Sequence, residues 1–232
     1  MPTFALVHGA GSGAWCWQKL SLELESLGHR VITMDLPCDV ASATFDDYAD
    51  VVCAAVSDVA GDDLTLVGHA LAGQTIPLVA ARRPVQRLVY LCAVPAIPGQ
   101  SLAQLMVGEE ILNPGYPRAL SEMDSGGRRL WLDRELANYY MYSDCDETTA
   151  RDAFARLRPQ SMRHFTLPCS LPALPTVEST YVVCTEDRLL NPAWARRIAL
   201  DWLDADLIEI PGSHSPFLSR PAELAELLHR LD

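Results

Sequence analysis

Leu64-Thr65-Leu66-Val67-Gly68-His69-Ala70-Leu71-Ala72-Gly73-Gln74 decides how this chain is built. An apolar run rich in β-forming residues ends at Gly68, and a helical pattern begins at Leu71, so a strand passes into a helix with almost no loop between them. Glycines relieve the crowding that so sharp a turn creates. Working outward, the same alternation recurs. Residues 3–8, 30–36, 64–67, 88–92, 180–184 and 206–210 read as strands. Residues 16–27, 71–82, 192–202 and a stretch from Pro221 read as helices between them. A further helix carries Phe45, Tyr48, Val52, Ala55, Val56 and Val59 on one face, with Thr44 and Asp47 spaced as a capping pair. Near-unbroken apolar strands alternating with helices predict an α/β fold with a mostly parallel six-stranded sheet covered on both faces.

Between residues 95 and 175 the alternation stops. This segment is rich in Pro, Gly, Met, Tyr and Arg, and its return path, Leu-Pro-Cys-Ser-Leu-Pro-Ala-Leu-Pro at 167–175, has too many prolines for a regular helix. It is expected to form an inserted helical cap at 95–175 on a core made of residues 1–94 and 176–232.

The 232 residues suit one large domain. Their net charge of −12 repels phosphate backbones and anionic headgroups, which argues against nucleic acid and membrane surfaces as partners. Lys19 is the single lysine. A Walker A loop and a Tyr-x-x-x-Lys dehydrogenase pair are therefore absent, and a pyridoxal phosphate Schiff base finds little support. Seven cysteines, odd in number and never spaced as C-x-x-C, read as buried free thiols in a reducing compartment. No apolar run reaches the roughly 18 residues of a membrane span, and the start of the chain lacks the marks of a signal peptide, so a soluble cytoplasmic protein is expected.

In open parallel sheets, functional groups collect at the carboxyl ends of strands. Four such ends carry chemistry here: His8-Gly9-Ala10-Gly11, Gly68 to Gly73, Thr185-Glu186-Asp187 and Gly212-Ser213-His214. The second approaches G-x-S-x-G, the turn that holds an exposed nucleophile at a helix start. Ala72 replaces the second glycine, a mild change. Ala70 replaces the serine, a severe one, because a methyl group has no lone pair with which to attack. The order of position 70, acid 187 and histidine 214 is that of one triad lineage among several.

Four stretches together, LVHGAGSGAWCW, LVGHALAGQ, YVVCTEDRLLNP and IPGSHSPFLSRP, resemble the α/β-hydrolase superfamily nearly end to end. The resemblance is to the small-cap branch of plant methyl-ester hydrolases (the salicylate-binding type) and hydroxynitrile lyases, with related bacterial esterases. It implies that His214 is the general base and that Asp187 orients it, with Glu186 the competing acid. It also implies that the backbone N–H groups of Ala10 and Leu71 form an oxyanion hole, and that Gly9 and Ser215 contact substrate. Trp131, which lies in the cap with Tyr139, Tyr140 and Tyr142, is expected from that position to line an apolar substrate pocket. His8 and His69 read as structural histidines, and His29, His164 and His229 as surface or cap residues. The implied function is serine-type hydrolysis of a small apolar or aromatic carboxylic ester, such as a methyl ester, through an acyl-enzyme. No cofactor or metal is implied; the partner is a small ester-like molecule, and small-cap relatives are often homodimers.

Ala70 has two readings: an inactivated nucleophile variant in which a serine was replaced, or a natural nucleophile-less protein. The latter would bind a small molecule or run a lyase or cyclase step through His214 and Asp187. Hydroxynitrile lyases of the branch place a lysine after the histidine, where Ser215 stands here. A rival class also exists. Gly9 to Ala14 satisfies the dinucleotide fingerprint G-x-G-x-x-G/A, with Asp35 about 20 residues on, as in NAD(P)-dependent oxidoreductases. Trp15 and Trp17 crowd the helix start where that fingerprint needs small residues.

Overall fold

The computed structural model describes residues 2–231. Strands β1 (Thr3–Val7), β2 (Arg30–Thr33), β3 (Leu64–His69), β4 (Arg87–Leu91), β7 (Glu178–Cys184) and β8 (Asp206–Ile210) form one sheet in the order β2-β1-β3-β4-β7-β8. Every pairing in it is parallel. The central strands β1 and β3 are buried along their whole length, whereas edge strand β2 is partly open, as expected when helices cover both faces.

The β2 strand is shorter than its apolar run. It was expected to reach residue 36, but the Leu36 amide donates to His8 Nε2 at 2.9 Å rather than to a strand neighbour, so pairing stops at Thr33. The first helical stretch is likewise split, into a 3-10 turn at Ala14–Trp17 followed by α1 (Gln18–Ser26). Helix α2 (Phe45–Ala55) starts as its sequence predicts. The Thr44 hydroxyl accepts from the Asp47 amide, and the Asp47 carboxylate accepts from the Thr44 amide.

After β3 the chain turns through a 3-10 segment, Ala70–Gln74, before α3 (Ile76–Ala80). The continuous helix expected over 71–82 does not form because Pro77 has no N–H to offer the carbonyl of Gly73. That carbonyl accepts from Ala96 instead. Gly73 must be a glycine for a packing reason: a Cβ there would stand 2.6 Å from the Val94 carbonyl oxygen.

Between β4 and β7 the chain forms short pieces: α4 (Leu102–Leu105), a two-residue hairpin of β5 (Arg128–Arg129) and β6 (Gln160–Ser161), α5 (Arg134–Met141) and α6 (Glu147–Ala155). The prolines of 167–175 keep that path irregular, tied by isolated bridges such as Pro98 with Cys169 and by the Ser170 hydroxyl donating to the Asp46 carboxylate at 3.1 Å. Lys19 joins α1 to this segment by donating to the Thr149 hydroxyl at 3.0 Å. After β7 come α7 (Pro192–Asp201), α8 (Pro216–Ser219) and α9 (Pro221–His229). Among the described residues no helix is long and apolar enough to cross a membrane.

Two expectations need correction. His29 is buried, packed edge-on against Phe4 and 2.8 Å from His229, rather than on the surface. The seven thiols are unpaired, but Cys53, Cys145 and Cys169 are only half-buried.

Candidate active site

The strand order reverses direction between β1 and β3, and the crevice outside their carboxyl ends is where an open sheet takes its ligand. Both chain turns that flank this crevice are close: a Cβ on Gly9 would lie 3.0 Å from the Ala70 methyl. Ala70 has φ = +49°, a left-handed conformation that costs a non-glycine residue roughly 1–2 kcal/mol. The Ala70 carbonyl accepts from the Val94 amide at 3.0 Å, which helps to hold the turn in this state.

His214 follows β8 and Asp187 follows β7, neighbouring strands, so their loops meet. His214 Nδ1 donates to Asp187 Oδ2 at 2.6 Å, and both side chains are almost wholly buried. The other carboxylate oxygen, Oδ1, accepts from the amides of Leu189 (2.8 Å) and Leu190 (2.9 Å). Asp187 is thus fixed by three donors, and the imidazole is fixed by Asp187. Glu186, the competing acid, is exposed and makes no such contact.

His69 and His8 take structural places. His69 Nε2 donates to the His214 carbonyl at 2.9 Å, and its ring packs 4.7 Å from the His214 ring. Burial, reinforced by the neighbouring His214, holds its pKa well below the ordinary histidine value, so it stays neutral. His8 Nδ1 donates to the Gly9 carbonyl at 2.8 Å while Nε2 accepts from Leu36, and burial lowers its pKa to about 4. It pins the Gly9-Ala10 turn to Leu36, three residues past β2. Neither the Ala10 nor the Leu71 amide donates to a loop, turn or side-chain acceptor among the described residues.

A cavity of about 120 Å³ opens at this edge. Its wall contains Gly9, Ala10, Ala70, Leu71, Trp131, His214 and Ser215, every site residue named from the sequence except Asp187 and its competitor Glu186. Asp187 stands behind His214. The segment 95–175 supplies much of the remaining wall, including Tyr116, Trp131, Met141 and Tyr142.

Sequence reasoning passed over Arg129, Tyr116 and Cys92, which also line the cavity. Cys92 directly follows β4 with φ = +45°, a backbone twin of Ala70 after the neighbouring strand β3. Its sulfur lies within 4.8 Å of ligand atoms of both Asp187 and His214, and burial pushes its thiol pKa well up. The alternation of apolar strand and loop could have flagged Cys92. Nothing local marks Arg129, whose place depends on how the segment folds back.

The dinucleotide fingerprint is put to another use. The Asp35 carboxylate accepts from the Ala14 amide at 2.8 Å and so closes the 9–14 loop instead of waiting for a ribose.

The profile of the alpha/beta hydrolase family matches residues 4–227. The chain belongs to that family. Norfluorocurarine synthase 2 from a Strychnos species is 29% identical across 97% of this chain and 93% of its own length. Methylesterase 18 of Arabidopsis thaliana is 26% identical, covering 97% and 95%. Among solved structures, a pyrethroid hydrolase from Sphingobium faniae JZ-2 superposes with a TM-score of 0.85 at 23% identity, covering 99% of this chain and 96% of that one. The Arabidopsis methylesterase MES16 gives 0.81 at 24%, covering 100% and 98%. The architecture is the α/β-hydrolase fold, and the framework is that of an esterase-type enzyme.

Proposed function

We propose that this hydrolase is built for serine-type cleavage of a small apolar or aromatic carboxylic ester, with its nucleophile position inactivated at Ala70 and residues 95–175 acting as the cap over the substrate. The observation that carries the proposal is the Asp187–His214 pair, assembled and buried beside a left-handed turn whose side chain faces the cavity. Relatives named as methylesterases support an ester as substrate and methanol as a leaving group.

With a hydroxyl at position 70, His214 Nε2 would take its proton as the oxygen attacks the carbonyl, and Asp187 would stabilise the imidazolium. The Ala10 and Leu71 amides would receive the oxyanion, and His214 would return the proton to the departing alcohol. The methyl of Ala70 can do none of the first step, so the present chain binds an ester without forming an acyl-enzyme.

Ala70→Ser tests this. Loss of a triad serine costs about a millionfold in turnover. The substitution is expected to raise p-nitrophenyl acetate hydrolysis by at least about a thousandfold, and His214→Ala in the same background to remove the gain. Failure to cleave any ester, lactone or thioester would overturn the proposal.

A second reading is favoured by the same intact pair: a natural nucleophile-less protein in which His214 moves a proton on a bound molecule directly. It requires turnover with Ala70 in place, abolished by His214→Ala.

A further inference from the structure

The cavity wall is apolar apart from a few groups, and Arg129 is the only lysine, arginine, aspartate or glutamate among the described residues that line it. Arg129 sits on β5, in register with Gln160 on β6. Its Nε donates to the Ser121 carbonyl at 2.8 Å, which fixes the plane of the guanidinium. Neither of its Nη atoms has a protein partner among the described residues, and no carboxylate lies within 4.0 Å of it. Its neighbour Arg128, by contrast, is paired with Asp124 at 2.9 Å.

The other polar groups at this end of the cavity divide in two. Gln160 is saturated: its Oε1 accepts from the Gly11 amide at 2.9 Å, while Nε2 meets Tyr48, His164 and the Ser161 carbonyl. Tyr116 also lines the cavity, near enough to Arg129 to feel its charge, and its hydroxyl has no partner among the described residues. A guanidinium with two partnerless Nη atoms and an unpaired phenol therefore share a wall of a largely apolar cavity, in a protein of net charge −12 that repels anions elsewhere.

We propose that Arg129, assisted by Tyr116, recognises a carboxylate on an otherwise apolar ligand. A guanidinium holds a carboxylate through two parallel hydrogen bonds, and in a low-dielectric cavity that pairing favours the anion over its neutral analogue. The proposal rests on the cavity being the substrate site proposed above. Within that reading, it names the substrate class as esters whose body carries a second, free carboxylate, such as half-esters of dicarboxylic acids.

The test measures binding without turnover. ω-Phenylalkanoates with two- to six-carbon chains, their primary amides and the corresponding amines are titrated into the unaltered protein by calorimetry. The best acid is expected to bind about tenfold more tightly than its amide, with the amine weakest. Arg129→Gln should bring the acid-to-amide ratio to about one, while Arg129→Lys keeps part of the preference; thermal unfolding of both variants verifies that they are folded. An acid-to-amide ratio near one in the unaltered protein overturns the proposal, as does a preference that survives Arg129→Gln or the absence of binding by every acid. A charge preference lost with Arg129, found alongside an Ala70→Ser variant that hydrolyses nothing, would sink the esterase reading and leave the anion site standing.

Discussion

At the carboxyl edge of the sheet, polar groups are matched almost one to one. Asp187 meets His214 and two amides, His8 bridges Gly9 and Leu36, and His69 holds the His214 carbonyl. Across the cavity, segment 95–175 is held by short helices, a two-residue hairpin and isolated bridges, and it leaves Arg129 and Tyr116 open to the interior. If the proposed chemistry takes place at this edge, its fixed hydrogen bonds leave little to rearrange as charge develops. On the function proposed above, the segment selects the ligand and the edge carries the chemistry, so separate substitutions should disturb the two separately.

The sharpest break is expected at the edge. In the Ala70→Ser background, Asp187→Asn should lower ester turnover by about ten-thousandfold, since an amide in place of the carboxylate favours the wrong imidazole tautomer. Steady-state kinetics on a p-nitrophenyl ester measures it, and a loss below tenfold would show that Asp187 is not the orienting acid.

Acid is the next lever. Burial lowers the pKa of His8 and His164 to about 4, and that of His69 well below 6.5. The unfolded chain, with histidines near 6.5, binds more protons than the folded one as pH falls below that value. Stability is therefore full above pH 6.5 and declines toward pH 4, by about 1.4 kcal/mol per pH unit for each histidine once the unfolded form is protonated. Urea unfolding midpoints at pH 7.5, 5.5 and 4.5 should fall in that order; a midpoint unchanged to pH 4.5 contradicts neutral burial. Two of these histidines belong to the edge and one to the segment, so the edge bears most of the loss.

Gly73→Ala should cost about 2–3 kcal/mol, because its Cβ would press on backbone rather than on a flexible side chain. Lys19→Met removes the exposed tie between α1 and Thr149 and should cost less than about 1 kcal/mol. Denaturant unfolding ranks the two, and a reversal would show that the segment is anchored more strongly than its contacts imply.

The same contrast explains what could be read from the residues alone. Strands β1, β3 and β7 announce themselves because a buried strand is a short, continuous apolar run, and the loops that follow β3, β7 and β8 carry Ala70, Asp187 and His214. The strand ends made those loops legible as places for chemistry, whereas the roles expected of Ala70, Asp187 and His214 came from the family likeness. The breaks in the helices were not: a proline at 77 and a histidine bond to Leu36 act through geometry that periodicity does not report. In the segment, no period exists to follow. Trp131 was found as an aromatic residue of that segment, whereas Arg129 owes its position to a hairpin between residues 31 positions apart in the chain. The burial of His29 was hidden because its partner, His229, comes from the far end of the sequence.

Covalent trapping tests the central claim most directly. The Ala70→Ser variant, treated with a phosphonofluoridate and analysed by intact mass and peptide mapping, is expected to carry one phosphonyl group, located at position 70, and His214→Ala in that background should slow its formation by orders of magnitude. A variant that stays unmodified, or that is labelled at another residue, would contradict the assignment of this turn as the place where the nucleophile belongs.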